Sequence, residues 1–461
     1  MVAREIRIRL NRPFDMRMMR SGLFLSVSLI LICTGGLASD RGGTLPKGVQ
    51  PAAERRSTAQ PPVPAEFPEH ATLFEYQTWA EAHNPELAAA AERIRAARER
   101  IPQARSLPDP QIGYTIEDMR ISGYMFRHSV DVSQMFPWFG KRGLMEEEAR
   151  VEVEIAEQRY EQMRLNIRSM VAEGYADYYY LSRSVLVIEE NLRLLSSIED
   201  VVRAAYAAGK APQSSVIRAQ VELGMLEEQL QSSRDVLTPA AAKLNALLNR
   251  PPGDPLPLPE TLPDQEITLS EEELLRRIVD RNPDLQVMRL ETRKEGASVK
   301  LAEKQRRPDV MLGIGVGNTG MTMDKAYSVM GMISVNLPVR KARNRAAVVE
   351  AEAMKRAIEH DRGGRENTLA AELKSALFSW RDANRKVRLY RDTLIPKTQQ
   401  ALGVSRRAFE AGMADFLDLI DVQRTLLELE LALERSLADR VQEYAFIAEL
   451  TGSDDPGGSR Q

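Results

Sequence analysis

Along most of the chain, apolar residues recur at steps of three and four, the stripe that one face of an α-helix presents. The longest such segment lies between Pro137 and Pro212, where Tyr178, Leu181, Val185, Ile188, Leu192 and Leu195 keep the step of an a/d seam. At 1.5 Å per residue, about 65 helical residues reach on the order of 100 Å, too long for a compact core. Leu223, Leu226, Leu230, Leu237, Leu244 and Leu247 carry a seam back. Further on, Leu369, Leu373, Ala376, Trp380, Ala383, Val387, Tyr390 and Leu394 alternate by four and three, and Val422, Leu426, Leu429 and Leu433 return. Gly363-Gly364 and Pro396 are expected to break or kink the outgoing helix of that second pair.

In two places the period drops to two. Ile112, Tyr114 and Ile116, then Phe126, His128, Val130 and Val132, alternate with small or polar residues, predicting strands near 111–118 and 126–135 around a turn at Ile121-Ser122-Gly123. Val310, Leu312, Ile314 and Val316 alternate with Met311, Gly313, Gly315 and Gly317, and Val329, Ile333 and Val335 follow, predicting strands near 309–317 and 327–337 with Asn318-Thr319-Gly320 opening the turn. Each hairpin has one apolar face.

The two halves are copies in one order. His83-Asn84-Pro85-Glu86-Leu87 recurs as Arg281-Asn282-Pro283-Asp284-Leu285, Pro108-Asp109 as Pro308-Asp309, and Val132-Ser133-Gln134-Met135-Phe136-Pro137 as Ile333-Ser334-Val335-Asn336-Leu337-Pro338. Ala205-Tyr206-Ala207-Ala208-Gly209 returns as Ala408-Phe409-Glu410-Ala411-Gly412. An offset of about 200 residues is that of a duplicated half rather than a short solenoid repeat. A helical run that meets Gly209 or Gly412 and then resumes after a polar break reads as the tip of a helical hairpin.

The pattern divides the chain into residues 71–250 and 267–452 as two repeats, joined by a Pro-rich linker at 251–266. Six arginines before the apolar run Leu23 to Ile32, with Gly35-Gly36-Leu37-Ala38 after it, have the order of a secretory signal over residues 1–38. Its removal takes away six positive and two negative charges, changing the net charge from -3 to -7. Residues 39–70 read as extended and 453–461 as a disordered tail. The apolar run is too short for a spanning helix and nothing later approaches about 20 apolar residues, so a membrane passage must be made by strands.

Sixty-three basic and 66 acidic side chains leave no basic footprint for nucleic acid. Cys33 is the only cysteine, which leaves no disulfide framework; it is either a lipid anchor or part of the discarded signal. His70, His83, His128 and His360 are scattered without metal-ligand spacing, and no phosphate-cradling Gly-Lys-Ser/Thr motif occurs. No catalytic constellation, cofactor site or metal site is predicted. Met321, Met323, Met330 and Met332 in the second hairpin read either as soft ligands or as adaptable apolar side chains. Phe136, Trp138 and Phe139 fit either a membrane interface or a packed turn.

Four strands cannot close a barrel in lipid, and an open edge there leaves backbone groups unpaired at several kcal/mol each. Two chains would supply eight strands and three would supply twelve. The doubled helix-hairpin-helix order, the stretch Ser133-Gln134-Met135-Phe136-Pro137-Trp138-Phe139-Gly140-Lys141-Arg142 and the two tips resemble the TolC-like outer-membrane efflux family over roughly Leu73 to Gly452.

The resemblance implies a mainly α fold with a small β part: antiparallel helical hairpins forming a periplasmic α-barrel, below a homotrimeric twelve-stranded β-barrel in the outer membrane of a Gram-negative bacterium. It implies a passive exit duct of a tripartite efflux or type I secretion system, with a periplasmic adaptor and an inner-membrane transporter as partners. Gly209 and Gly412 would mark the tips that contact the adaptor. Asp418 and Asp421 would ring the periplasmic entrance, where the first repeat has Ser215 and Arg218; the simpler reading is that Asp415 caps a helix and Asp418 favours its first turn. The alternative function is a periplasmic coiled-coil adaptor without a channel, which would be expected to flank its hairpin with small lipoyl-like β-domains.

Overall fold

The computed structural model describes residues 67–68, 70–117, 127–320 and 325–456. The expected signal with Cys33, the segment 39–66, both strand-hairpin tips with Met321 and Met323, and residues 457–461 lie outside the described residues. The first repeat runs α1 (Leu73–His83), α2 (Pro85–Arg105), β1 (Gln111–Glu117), β2 (Arg127–Phe136), α3 (Lys141–Ala207) and α4 (Gln213–Leu247). The second runs α5 (Glu271–Arg281), α6 (Pro283–Lys304), β3 (Val310–Gly320), β4 (Lys325–Val335), α7 (Lys341–Leu389), a π-helical turn (Tyr390–Leu394), α8 (Ile395–Glu410) and α9 (Phe416–Leu450).

The duplication extends to the caps. Glu75 and Glu273 accept from the backbone N–H groups of Thr72 and Ser270, at 2.6 and 2.9 Å, fixing the starts of α1 and α5. Asn84 and Asn282 then cap α2 and α6, each with a proline at the first helical position. Their amide nitrogens donate to the carbonyls of Leu247 and Leu450, both at 3.0 Å, satisfying orphan groups at the ends of α4 and α9. Those two helices are each 35 residues long and start 203 positions apart, as do the glycines of the tips.

At 67 residues, α3 spans on the order of 100 Å and is the axis of the chain. It packs against α2 and α6 in one direction along its length and α4 and α9 in the other, while α7 packs on α6 and α9. Ile188, Leu195, Ile198 and Val202 of α3 are buried with Leu226 and Leu230 of α4, Leu402 and Phe409 of α8, and Phe416, Leu419, Ile420 and Leu426 of α9. A second core gathers around mid-α3, where Tyr76, Val171, Tyr175, Leu244 and Leu248 meet Leu256 of the linker. The linker is held by tyrosine hydroxyls donating to carbonyls: Tyr76 to Pro257 at 3.1 Å, Tyr175 to Thr261 at 3.3 Å and Tyr178 to Leu256 at 3.4 Å.

Several details correct the sequence reading. Gly363 and Gly364 do not break α7; no side chain crowds them, and Arg365 bridges to Asp284 of α6 at 2.9 Å one residue later. A helical glycine costs about 1 kcal/mol, which packing of this kind overrides. The irregularity falls at the π-helical turn before Pro396, whose ring excludes a regular turn behind it. The extra residue slips the buried seam by one, from the expected Leu394 to Ile395, then Leu402 and Phe409. Asn318, Thr319 and Gly320 do not open a turn: they pair with Tyr327, Ala326 and Lys325, so β3 is longer than expected and β4 begins earlier. The strand ends at Val335 because Pro338 has no N–H and restricts Leu337. Residues 453–456 depart from the expected disordered tail, and Phe67, in the segment expected to be extended, is packed. Phe67 stacks edge-on against Tyr76 and Trp79 beneath Arg250, and Asp454 bonds Arg164 at 2.9 Å.

The four strands form one antiparallel sheet in the order β1-β2-β3-β4, so β1 and β4 are edges without a neighbour among the described residues. Register settles the faces. The rows Ile112–Val132–Ile314–Gly331 and Tyr114–Val130–Val316–Val329 lie on one side, with Leu312 and Ile333 beside them. Gly113–Asp131–Gly315–Met330, Thr115–Ser129–Gly317–Ser328 and Gln111–Ser133–Gly313–Met332 lie on the other. On the apolar side Ile112 is 78% exposed, Ile333 76% and Val329 73%. Such a face is stable in lipid and not in water.

Candidate transport duct

Both tips are closed by the same hydrogen bonds. Lys210 N donates to Ala205 O and Gly209 N to Tyr206 O; Met413 N donates to Ala408 O and Gly412 N to Phe409 O, at 2.8 to 2.9 Å. This double bond pattern needs a left-handed residue, which Gly209 at φ 70° and Gly412 at φ 74° provide. Neither glycine meets a neighbouring side chain, so both tips are open surface.

The tips then diverge. In the second, Phe416, Leu419 and Ile420 are buried, and the Phe409 and Phe416 rings meet edge-on at 6.2 Å. In the first, Ile217 stands 53% exposed, where Ile420 is its counterpart. Asp418 and Asp421 are both exposed on the side of α9 away from this packing. Asp415 occupies the N-cap position but its side chain makes no capping bond. Asp418 stands in the first turn of α9, where a carboxylate favours the helix dipole, and Asp421 lies beyond that turn. Of their counterparts, Ser215 is buried and Arg218 exposed. One turn further along, Arg424 bridges Glu222 and ties α9 to α4 across α3.

A polar line runs up the seam between α3 and α9. Gln423 donates to Asn191 Oδ1 at 3.2 Å, and Asn191 Nδ2 donates to Glu430 at 2.7 Å. Higher up, Glu434 accepts from the Tyr179 hydroxyl at 3.0 Å and from Arg183 at 3.2 Å. Burial pushes the Glu430 carboxyl above the usual range, with Glu190 adding to the rise and bonds from Asn191 and Gln399 opposing it. A carboxyl raised in this way binds its proton more tightly folded than unfolded. Its cost is absent below the unfolded value and grows as pH rises through the folded one. Glu430→Gln is expected to raise the melting temperature at about pH 8 and to lose that advantage at about pH 4, as followed by circular dichroism.

The inner ends of the strands are pinned by a feature the sequence reading passed over. Lys141, the first residue of α3, is 8% exposed and its ammonium lies 2.7 Å from Asp309, just before β3. Asp309 also accepts from the Trp138 backbone N–H at 2.7 Å, and Lys141 donates to Arg307 O at 3.2 Å. Burial pushes the Asp309 carboxyl up, but the bonds from Lys141, Trp138 and Asn336 outweigh it and hold it below the usual carboxylate range. The signal for this pair was the repeated Pro-Asp before each first strand. Beside it Phe139 is 87% exposed and Phe136 40%, while Trp138 is partly buried with its ring edge-on to Phe139.

Met330 and Met332 fall on the small and polar face of the sheet, with Met332 lying over Gly313. His83 stacks on Trp79, His128 bonds Tyr114 in the sheet, and His70 lies 3.4 Å from Glu260. Among the described residues no three His, Cys, Asp or Glu side chains converge as metal ligands.

One sheet with a lipid-compatible face, long helices below it and open hairpin tips at the far end define a channel-wall protein, part in membrane and part in water. The Outer membrane efflux protein family matches residues 78–250 and 274–453, one match for each repeat, and the chain belongs to that family. It is similar to the cobalt-zinc-cadmium resistance protein CzcC of Cupriavidus metallidurans, 24% identical over 413 residues, covering 85% of this chain and 92% of that protein. The pyoverdine export outer membrane protein OpmQ of Pseudomonas putida is 24% identical over 376 residues, covering 75% of this chain and 78% of its own. Among solved structures, the open state of the Neisseria gonorrhoeae MtrE outer membrane channel superposes with a TM-score of 0.70 at 17% identity, covering 91% of this chain and 100% of that one. The chain is thus an outer-membrane exit duct of a Gram-negative bacterium that extends into the periplasm. The family is one of passive channels, and the adaptor reading is set aside.

Proposed function

We propose that three copies of this chain close a twelve-stranded barrel over a helical duct, which receives cargo from a periplasmic adaptor and an inner-membrane transporter at the Gly209 and Gly412 tips. The observation that carries this is the four-stranded sheet, with both edges unpaired among the described residues and one apolar face exposed. An edge in lipid is untenable, and closure by identical copies is the least demanding remedy. From Tyr327 to Val335 the apolar face measures about 27 Å along the strand, which a tilt near 40° reduces to roughly 20 Å, close to the band of known barrels.

Asp418 and Asp421 then face the periplasmic entrance, six carboxylates around one axis that favour cations over anions among what is delivered. Phe136, Trp138 and Phe139 form the inner aromatic rim. Fractionation tests the assignment: the protein is expected in the outer membrane as an oligomer in detergent that dissociates only on heating. Release from membranes by salt alone would contradict it.

A further inference from the structure

The duplicated halves meet inside this chain, and that contact is a template for one the single chain cannot contain. Where the first half meets the second, β2 pairs with β3, α3 packs on α6, and Lys141 bridges Asp309. The second half carries the same parts on its free side. Lys341 is the first residue of α7 as Lys141 is of α3, and Asp109 stands before β1 as Asp309 stands before β3. Both Lys341 and Asp109 are exposed, and neither has an ion-pair partner among the described residues.

We propose that Lys341 of one protomer and Asp109 of the next form an ion pair at the inner rim of the barrel, the counterpart at the subunit seam of Lys141–Asp309. The proposal rests on the closed ring of three argued above. Register supports it independently. Carrying the β2–β3 pairing over to β4 and the next chain's β1, by the offsets of the repeated landmarks, sets Ile333 opposite Tyr114 and Val335 opposite Ile112. All four belong to the apolar face, and a shift of one residue would have placed them against the polar one. From the matched prolines onward the second half is one residue shorter, Pro338 to Lys341 against Pro137 to Lys141, with Arg340 standing directly before α7 where the first half has the left-handed Gly140. Arg340 is thus the neighbouring cation that the test must separate from Lys341.

The partner is a second copy of this chain, so the test is a cross-link between copies. Asp109→Cys with Lys341→Cys, treated with a short bis-maleimide in detergent, is expected to give a covalent three-chain band after boiling; either cysteine alone is not. Asp109→Cys with Arg340→Cys is expected to give that band several-fold more weakly. As a second measure, Asp109→Lys should make the oligomer dissociate about tenfold faster on heating, and adding Lys341→Asp should restore it. If native mass still reports three chains but the cross-link fails and the charge swap does not rescue, this bridge falls while the trimer stands. If native mass reports one chain, the trimer falls first.

Discussion

Lys141→Met is expected to destabilise the inner end of the barrel by about 3 kcal/mol, because it leaves the Asp309 carboxylate in a largely enclosed site without its cation. The loss should appear as a lower temperature for heat dissociation of the oligomer and weaker protection of the Trp138 amide, which donates to the same carboxylate. Adding Asp309→Asn to that variant removes the stranded charge and should recover a large part of the stability, since an amide oxygen still accepts from Trp138. A single variant as stable as the wild type would show that the bridge is dispensable, and equal losses in single and double variants would show that packing alone matters.

The second large effect is on conduction. Asp418→Ala with Asp421→Ala is expected to weaken block of single-channel current by multivalent cations by at least about tenfold, with oligomer stability nearly unchanged. The structure sharpens this expectation. Both carboxylates are exposed; Asp418 lies in the first turn of α9, where its dipole contribution is at most about 1 kcal/mol, and Asp421 lies beyond it. Were they capping residues after all, block would persist and stability would fall by roughly 1 kcal/mol.

Much of the architecture was legible because it rests on local periodicity. A step of two at Ile112 to Ile116 and at Val310 to Val316 is a strand signature that long-range packing seldom overturns, and the tips were signalled by the left-handed need for Gly209 and Gly412. The misreadings arose where a local preference met a stronger partner. Asn318 and Gly320 favour turns in isolation, yet β4 supplies the ladder that keeps them extended. Gly363 and Gly364 weaken a helix, yet α7 is held by its neighbours on both sides of them.

The Lys141–Asp309 pair was only half legible: the repeated Pro-Asp marked the aspartate, but its partner lies 168 positions away, and only folding the two repeats together makes a lysine that begins a helix face an aspartate that precedes a strand. Asp418 and Asp421 were found through the resemblance, since nothing in one chain brings their carboxylates toward a common axis.

The central claim is that this sheet is one third of a closed barrel. Native mass measurement of the purified protein in detergent tests it most directly. A single dominant species of three chains, unchanged on dilution, is expected; a stable folded monomer with its β1 and β4 edges open to solvent would contradict a closed barrel.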